Sequence, residues 1–211
     1  MSSLERLLVN SSSSLSQGEP AIQEYLLEYA GALADQLLGM LRRRNGFYAL
    51  ESALHVFPAC SSQHELDITD WNEHALWRSR YNGLADGCLF FAEDIFGGQF
   101  CLKDGNVYTF DPELGCLDYL AGDIEQWAQT LLHDYEVLTG YPLAHQWQKQ
   151  NGQLSAGKRV VPKTPFVLGG EFTIDNLHMI DAVEGMRLRA DLALQIKELP
   201  DGAQIKFDVG E

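Results

Sequence analysis

Four short apolar or alternating segments between residues 87 and 121 constrain the fold more than any other part of the sequence. They are GCLFFAED, GGQFCLKDG, NVYTFD and GCLDYLA, and Gly, Asp, Asn or Pro residues separate them. Segments of this length, bounded by turn residues, are typical of strands that pair in antiparallel hairpins. The sequence therefore predicts a β-meander, with turns at Lys103-Asp104-Gly105-Asn106 and at residues 111–115.

Apolar residues at helical spacing flank these strands on both sides. Residues 21–44 show this spacing, and three arginines at the end of the stretch complement a helix dipole. Residues 46–58 are predicted to form a short second helix, and residues 67–81 a capped helix or an extended segment. After the strands, Asp123 is placed to cap a helix that ends at Gly140, and a further helix ends at residues 151–152.

The predicted domain organisation has three parts. The Ser-rich residues 1–19 are not suited to pack a core and are predicted to be a flexible leader, or a short helix with a flexible link. Residues 20–151 are predicted to form an α+β domain in which a mostly antiparallel sheet is flanked by helices. Residues 152–211 are predicted to be an extension packed on the core, with a linker at 152–165, a strand at 166–176, a helix at 181–199 and a last strand at 203–209.

The overall charge restricts the possible partners. The 211 residues include 15 basic and 30 acidic ones, a net charge of −15. Nucleic acid is disfavoured as a partner, because phosphates need a basic surface. The first residues lack the cationic and apolar parts of a secretory signal, and no apolar run reaches membrane-spanning length, so we expect no membrane association and a cytoplasmic location. The acidity serves either solubility or the attraction of a basic protein.

Metal and cofactor sites are not predicted. The cysteines lack the close spacing of zinc ligands and are expected to be buried free thiols; they are Cys60, Cys88, Cys101 and Cys116. The six histidines form no H-E-x-x-H motif, and the pair Gly97-Gly98 lacks the spacing of a phosphate-binding loop and is predicted to be a bulge or a tight strand entry. We expect no cofactor.

Catalysis is not indicated either. Glu93 and Asp94 are paired carboxylates, but adjacent strand residues point to opposite faces and do not easily share a substrate. The segment GQLSAG at residues 152–157 is one residue too long for a nucleophile elbow and lies in the predicted linker. The sequence predicts a protein that is not an enzyme. A small-molecule or nucleotide hydrolase is the alternative, and it requires a pocket assembled from distant residues.

Negative charge is concentrated in the predicted sheet. Residues 85–136 contain 11 acidic residues and one basic residue, a net charge of −10, whereas residues 152–211 have a net charge of −2. Complementary charge accelerates the encounter of two proteins and disfavours wrong partners. We therefore predict an acidic face that contacts a basic protein through Glu93, Asp94, Asp104, Asp111, Glu113 and Asp118.

Residues 87–132 resemble the core of the SUKH superfamily, also called the Smi/Knr-like family. The family pattern is an apolar strand, a glycine-bearing turn, a second strand, a hairpin to a third strand near acidic residues, and a helix with a buried aromatic residue. The matching positions are Gly97, Gly98, Gly105, Val107, Tyr108 and Trp127. The resemblance extends over roughly residues 45–150, and residues 152 onward lie outside the common core.

This resemblance implies an α+β fold with a mostly antiparallel sheet and no catalytic residues. Bacterial members of the family are similar to immunity proteins that neutralise polymorphic toxins, often nucleases, and fungal members are similar to regulatory scaffolds. By this resemblance we expect a bacterial-type immunity protein whose acidic face binds a basic toxin domain. A regulatory scaffold with a different partner is the alternative.

Overall fold

The computed structural model of the chain describes residues 1–60 and 65–199. The fold is α+β, as predicted, with a six-stranded antiparallel sheet flanked by helices. The strands of this sheet follow the order of the sequence: β1 Phe47–Ala49, β2 Leu54–Val56, β3 Leu89–Asp94, β4 Gln99–Lys103, β5 Asn106–Asp111 and β6 Cys116–Ala121. A smaller sheet pairs β7 Lys158–Pro162 with β8 Leu177–Asp181.

The predicted meander is confirmed in strands β3 to β6. The hairpin between β4 and β5 turns at Asp104 and Gly105, whose φ angles are 48° and 73°. A two-residue turn in which both φ angles are positive matches the right-handed twist of the two strands. The next turn ends at Gly115, where φ is 63°. Both turns fall at the positions that their residue types indicate.

Residues 46–58 contain a β-hairpin, so the predicted short helix is wrong. Phe47 and Ala49 of β1 are buried, and β2 is buried along its whole length and pairs with β3. Three successive residues, 50–52, have φ angles between 51° and 67° and reverse the chain. None of these three residues is a glycine, so the sequence gives no sign of a turn with positive φ angles. A short apolar run is also compatible with either a strand or a helix.

Eight α-helices are found in the described residues: α1 Ser3–Val9, α2 Glu24–Ala30, α3 Ala34–Arg43, α4 Ile68–Trp71, α5 Ile124–His133, α6 Tyr135–Thr139, α7 Tyr141–Asn151 and α8 Ala182–Lys197. The single helix predicted over residues 21–44 is broken, because Gly31 has a φ angle of 54° and a ψ angle of −130° and ends α2. The helix predicted between Asp123 and Gly140 is present as α5 and α6. The Asp123 side chain caps α5 by accepting the backbone N–H of Gln126 at 2.7 Å.

Strands β2, β3 and β4 of the main sheet are buried on both faces. On one face, Trp127 of α5 lies against Phe91 and Phe100, with ring centroids 5.1 Å and 5.9 Å away. On the other face, Trp77 lies 5.0 Å from the ring of Phe90. Because neighbouring residues of β3 point in opposite directions, Phe90 and Phe91 join the sheet to both layers.

The N-terminal residues are packed on the domain: the short helix predicted as an alternative is present as α1, and the predicted flexible leader is wrong. Ser2 and Glu5 form a capping box that begins α1, and Leu7 is 1% exposed in the core. The serine tract then bonds to β1: the Ser12 backbone N–H donates to the Tyr48 carbonyl at 2.7 Å, and the Tyr48 N–H donates to Ser12 Oγ at 3.0 Å. Serine side chains thus satisfy polar groups at the sheet edge, a role that composition alone does not reveal.

Leu7→Ala tests this packing. We expect the free energy of unfolding to fall by about 2–3 kcal/mol, because the substitution removes buried methyl groups and leaves a cavity. Val9→Ala on the same helix is the matched control, since Val9 is 67% exposed, and it should change the free energy of unfolding by less than about 0.5 kcal/mol. Urea denaturation measures both variants. An effect of Leu7→Ala as small as that of the control would contradict a packed α1.

Residues 152–199 differ from their prediction in two places. The predicted linker contains β7, whose two valines stand between basic residues and a proline, a pattern too short to indicate a strand. Residues 166–176, predicted to be a strand, contain the short 3-10 helices Phe166–Leu168 and Ile174–Asn176. The predicted helix over 181–199 is present as α8, and Met186, Ala190 and Ala193 bring it into the main core. The last predicted strand, residues 203–209, lies outside the described residues.

Candidate functional site

A groove of about 400 Å³ lies at the end of the sheet where strands β3 and β5 terminate. Strands β3 and β5 run in the same direction on either side of β4, so their last residues lie at the same end of the sheet. Side chains from α6, α8 and the loop between β7 and β8 complete the groove. Four of the six acidic residues predicted to contact a partner line it: Asp94, Asp111, Glu113 and Asp118.

Aromatic and aliphatic side chains form one wall of the groove. Phe166 stacks on Phe172 with ring centroids 4.0 Å apart, and it meets Phe96 edge to face at 5.3 Å. Phe172 is 66% exposed, and Val137 of α6 is 85% exposed. Single exposed apolar residues are common on any protein, but exposed apolar residues that converge on one concave surface are typical of a binding site.

The carboxylates of the groove differ in exposure and in role. Asp118 is exposed on β6. Asp111 Oδ1 accepts the backbone N–H groups of Glu113 at 2.7 Å and Leu114 at 3.2 Å, and so fixes the turn after β5. Glu113 is 5% exposed, so its predicted role as a surface contact is wrong. Its Oε2 accepts the backbone N–H of Val167 at 2.9 Å, which ties the loop of the apolar wall to the sheet. Burial raises the pKa of Glu113.

Asp94 and Arg189 both line the groove and both bond to the turn from β3 into β4. Asp94 Oδ1 accepts the backbone N–H groups of Phe96 and Gly98, both at 2.8 Å. Arg189 of α8 donates to the Phe96 carbonyl at 2.7 Å. Gly97 has a φ angle of 81°, and a Cβ atom there would lie 2.7 Å from the Arg189 guanidinium. The glycine pair therefore permits the tight turn from β3 into β4 beside Arg189.

Asp94 should make stability depend on pH. Burial, the largest cause, raises the pKa of Asp94 to about 7, although its two backbone hydrogen bonds oppose the change. Between about pH 4 and pH 7 the folded chain then binds more protons than the unfolded chain, so this group makes stability fall as the pH rises. A pKa shift of this size corresponds to a change of about 4 kcal/mol in the free energy of unfolding. Because Asp94 is partly exposed, solvent screening should reduce this change to about 2 kcal/mol.

Asp94→Asn isolates this contribution, because the amide oxygen can still accept the two backbone N–H groups. The free energy of unfolding of the variant relative to the parent should rise by about 2 kcal/mol between roughly pH 4.5 and pH 8 in urea titrations. A difference between the two proteins that stays constant over this range would show that Asp94 titrates normally.

Glu93 and Asp104 lie outside the groove. Glu93 is 1% exposed, and its Oε1 lies 2.7 Å from Arg159 of β7 and 3.0 Å from His55 Nδ1. The prediction that Glu93 contacts a partner at the surface is therefore wrong, because the alternation of β3 turns its side chain away from Asp94 and into the protein. Asp104 is exposed in the turn between β4 and β5.

The apolar wall of the groove was not predicted from the sequence. Phe172 and Val167 lie in a stretch that was predicted to be a strand. Val137 offered a clearer signal, because Asp134 and His133, three and four positions before it in the helix predicted up to Gly140, are polar. An apolar residue on the polar side of a helix indicates a possible contact surface.

Other kinds of site are not found in residues 1–60 and 65–199. No group of His, Cys, Asp or Glu side chains there is arranged to hold a metal ion. The four cysteines are free thiols; Cys88 and Cys101 are buried, as predicted, whereas Cys60 and Cys116 are only half-buried. None of the described helices combines the length and the apolar character needed to cross a bilayer.

Comparison with known proteins reveals a shared fold. No protein-family pattern and no curated protein matches the sequence. Among solved structures, the crystal structure of Atu4351 from Agrobacterium tumefaciens is similar, with a TM-score of 0.59 and 15% sequence identity over 88% of this chain and 87% of that chain. At this identity the similarity shows the fold alone.

Proposed function

We propose that this protein is a non-enzymatic binding module that holds a basic partner protein in the groove. The observation that supports the proposal is that exposed Phe172 and Val137 share one concave surface with the carboxylates of Asp111 and Asp118. Burial of the apolar wall contributes about 25 cal/mol for each Å² removed from water. The carboxylates favour a partner of positive charge and speed its approach.

The groove fits a segment in which a basic side chain lies beside an apolar one. Arg189 is the basic residue among the described residues that line the groove, and its guanidinium is engaged by the Phe96 carbonyl. Lysine and arginine side chains pack their methylene stems on aromatic rings and keep their charged ends in water. Phe172 is placed to receive such a stem, and Asp118 is exposed at the groove to pair with a charged end.

An immunity role is the form of this function that we favour. The resemblance to the SUKH superfamily supports a cytoplasmic protein that neutralises a nuclease-like toxin, and the catalytic domains of nucleases are basic because they bind phosphates. A regulatory scaffold would use the same groove for a different basic protein, and the resemblance includes scaffolds as well.

Photo-crosslinking tests the groove directly. A photoreactive amino acid at position 137 lies within the groove, whereas one at position 9 lies on α1 outside it at comparable exposure. We expect a cross-link to a basic protein in cells from position 137 and none to that protein from position 9. If both positions yield the same proteins, the groove is not the binding site.

The protein encoded beside this gene distinguishes immunity from scaffolding. Expressed alone in a test host, this neighbour should arrest growth, and co-expression of the present protein should restore it. A harmless neighbour, together with a host protein cross-linked at position 137, would favour the scaffold.

A further inference from the structure

A second cleft, of about 540 Å³, lies between β2, α4 and the residues that join β8 to α8. It shares no described residue with the groove. His55 and Glu93, which are neighbours across β2 and β3, line its inner part. The proposed protein-binding role does not involve this cleft.

His55 is held in one protonation state. It is 1% exposed, and burial, the largest cause, lowers its pKa, so the ring is neutral at pH 7. Burial alone would raise the pKa of Glu93, but attraction to Arg159 and the hydrogen bond to His55 lower it, so Glu93 is ionised. A carboxylate 3.0 Å from His55 Nδ1 requires a proton on that nitrogen. The Nε2 atom of His55 is therefore a hydrogen-bond acceptor.

The Nε2 atom of His55 has no hydrogen-bond partner among the described residues, although it is buried. A buried acceptor without a partner is unfavourable, and native proteins rarely leave one unpaired without a reason. Its ring is fixed on both sides, by stacking on Tyr48 at a centroid distance of 4.4 Å and by an edge contact with Phe57 at 4.6 Å. His55 is thus a fixed acceptor, without a hydrogen-bond partner in the described part of the chain, among the residues that line the cleft.

The rest of the cleft favours positive charge. Carboxylates of Glu65, Asp70 and Asp181 line it. Lys158 is the basic side chain among its described lining residues, and an Asp181 oxygen 3.4 Å away pairs with it. Trp71 adds aromatic surface, which attracts organic cations. Anions are disfavoured by the same groups.

We propose that this cleft binds a small organic amine, protonated at pH 7, with one N–H donating to His55 Nε2 and the positive charge facing the carboxylates. The apolar part of such an amine would lie against Phe57 and Trp71, whose rings stack 4.8 Å apart. The proposal adds a small-molecule site to the protein-binding role and does not depend on it.

Nitrogen-15 spectra of histidine-labelled protein test the contact itself. The probes are three amines, namely tyramine, benzylamine and putrescine, together with 3-(4-hydroxyphenyl)propionate as the anionic counterpart of tyramine. We expect at least one amine to shift the His55 Nε2 signal saturably at concentrations up to roughly 10 mM, and the anion to leave it unchanged. The signal of His133, whose side chain is 81% exposed, is the internal control. An unmoved His55 signal with all three amines, or an equal response to the anion, would overturn the proposal.

Asp70→Asn tests the cleft without changing a buried residue. Asp70 is exposed at the cleft, so the substitution should leave the structure intact. It should weaken amine binding about threefold or more, because one attractive charge is lost. Asp118→Asn in the groove is the matched control and should leave amine affinity unchanged. Equal amine affinity in Asp70→Asn and the parent would also contradict the proposed orientation of the ligand.

Discussion

Glu93→Gln should lower the free energy of unfolding by about 3–5 kcal/mol, a large share of the stability of a domain of this size. The glutamine retains the shape of the side chain but not its charge, and Arg159, which is 1% exposed, then remains as a buried cation without a counterion. An uncompensated charge in the interior costs far more than the lost hydrogen bond alone. Urea denaturation of the variant and the parent at one pH measures the difference.

Glu184→Gln is the matched control for this substitution. Glu184 also pairs with an arginine, Arg187, at 2.7 Å, but both side chains are substantially exposed. Solvent screens such pairs, so the control should cost less than about 0.5 kcal/mol. Equal effects of the two substitutions would show that Arg159 finds another partner or water.

Removing both charges separates the cost of an unpaired ion from the value of the pair. In Glu93→Leu/Arg159→Met both buried charges are absent, and we expect the double variant to be more stable than Glu93→Gln by at least about 2 kcal/mol. A double variant as unstable as Glu93→Gln would mean that the hydrogen bonds to His55 and Gln99 carry the stability instead.

The parts of the fold that were predicted correctly are those that neighbouring residues determine. The meander follows from alternation and turn chemistry, and Asp104-Gly105 adopts the positive φ angles that its residue types favour. The β1–β2 hairpin was missed because its left-handed turn contains no glycine and β1 is held in place by pairing with β2 and the serine tract. Serine composition likewise gave no indication that Leu7 would reach the core.

The candidate site was predicted only in part, for a similar reason. Charge counting identified Asp94, Asp111 and Asp118, which do meet in the groove. It placed Glu93 at the surface as well, because its buried counterion, Arg159, is distant in sequence. The apolar wall depends on a loop that is held by the hydrogen bond from the Val167 N–H to Glu113. These two residues are distant in sequence, so no local pattern predicts their contact.

Phe172→Ala should weaken binding of the protein cross-linked at position 137 by about 30-fold to 1,000-fold, the loss expected for an aromatic side chain at the centre of an interface. The variant should remain folded, since Phe172 is 66% exposed. Tyr119→Ala is the matched control, because Tyr119 is 62% exposed on β6 but does not line the groove. It should change the affinity less than about threefold. Surface plasmon resonance at two salt concentrations measures all three proteins.

Substitutions in the apolar wall and in the acidic side of the groove should change different rate constants of binding. Phe172→Ala removes a short-range contact, so it should increase the dissociation rate and leave the salt dependence of association unchanged. Asp118→Lys reverses a long-range attraction, so it should slow association and reduce its dependence on salt. Asp104→Lys makes the same charge change in the β4–β5 turn, outside the groove, and should have the smaller effect of the two. If Asp104→Lys slows association as much as Asp118→Lys does, the partner responds to the net charge of the protein, and the groove is not where its basic side chains bind.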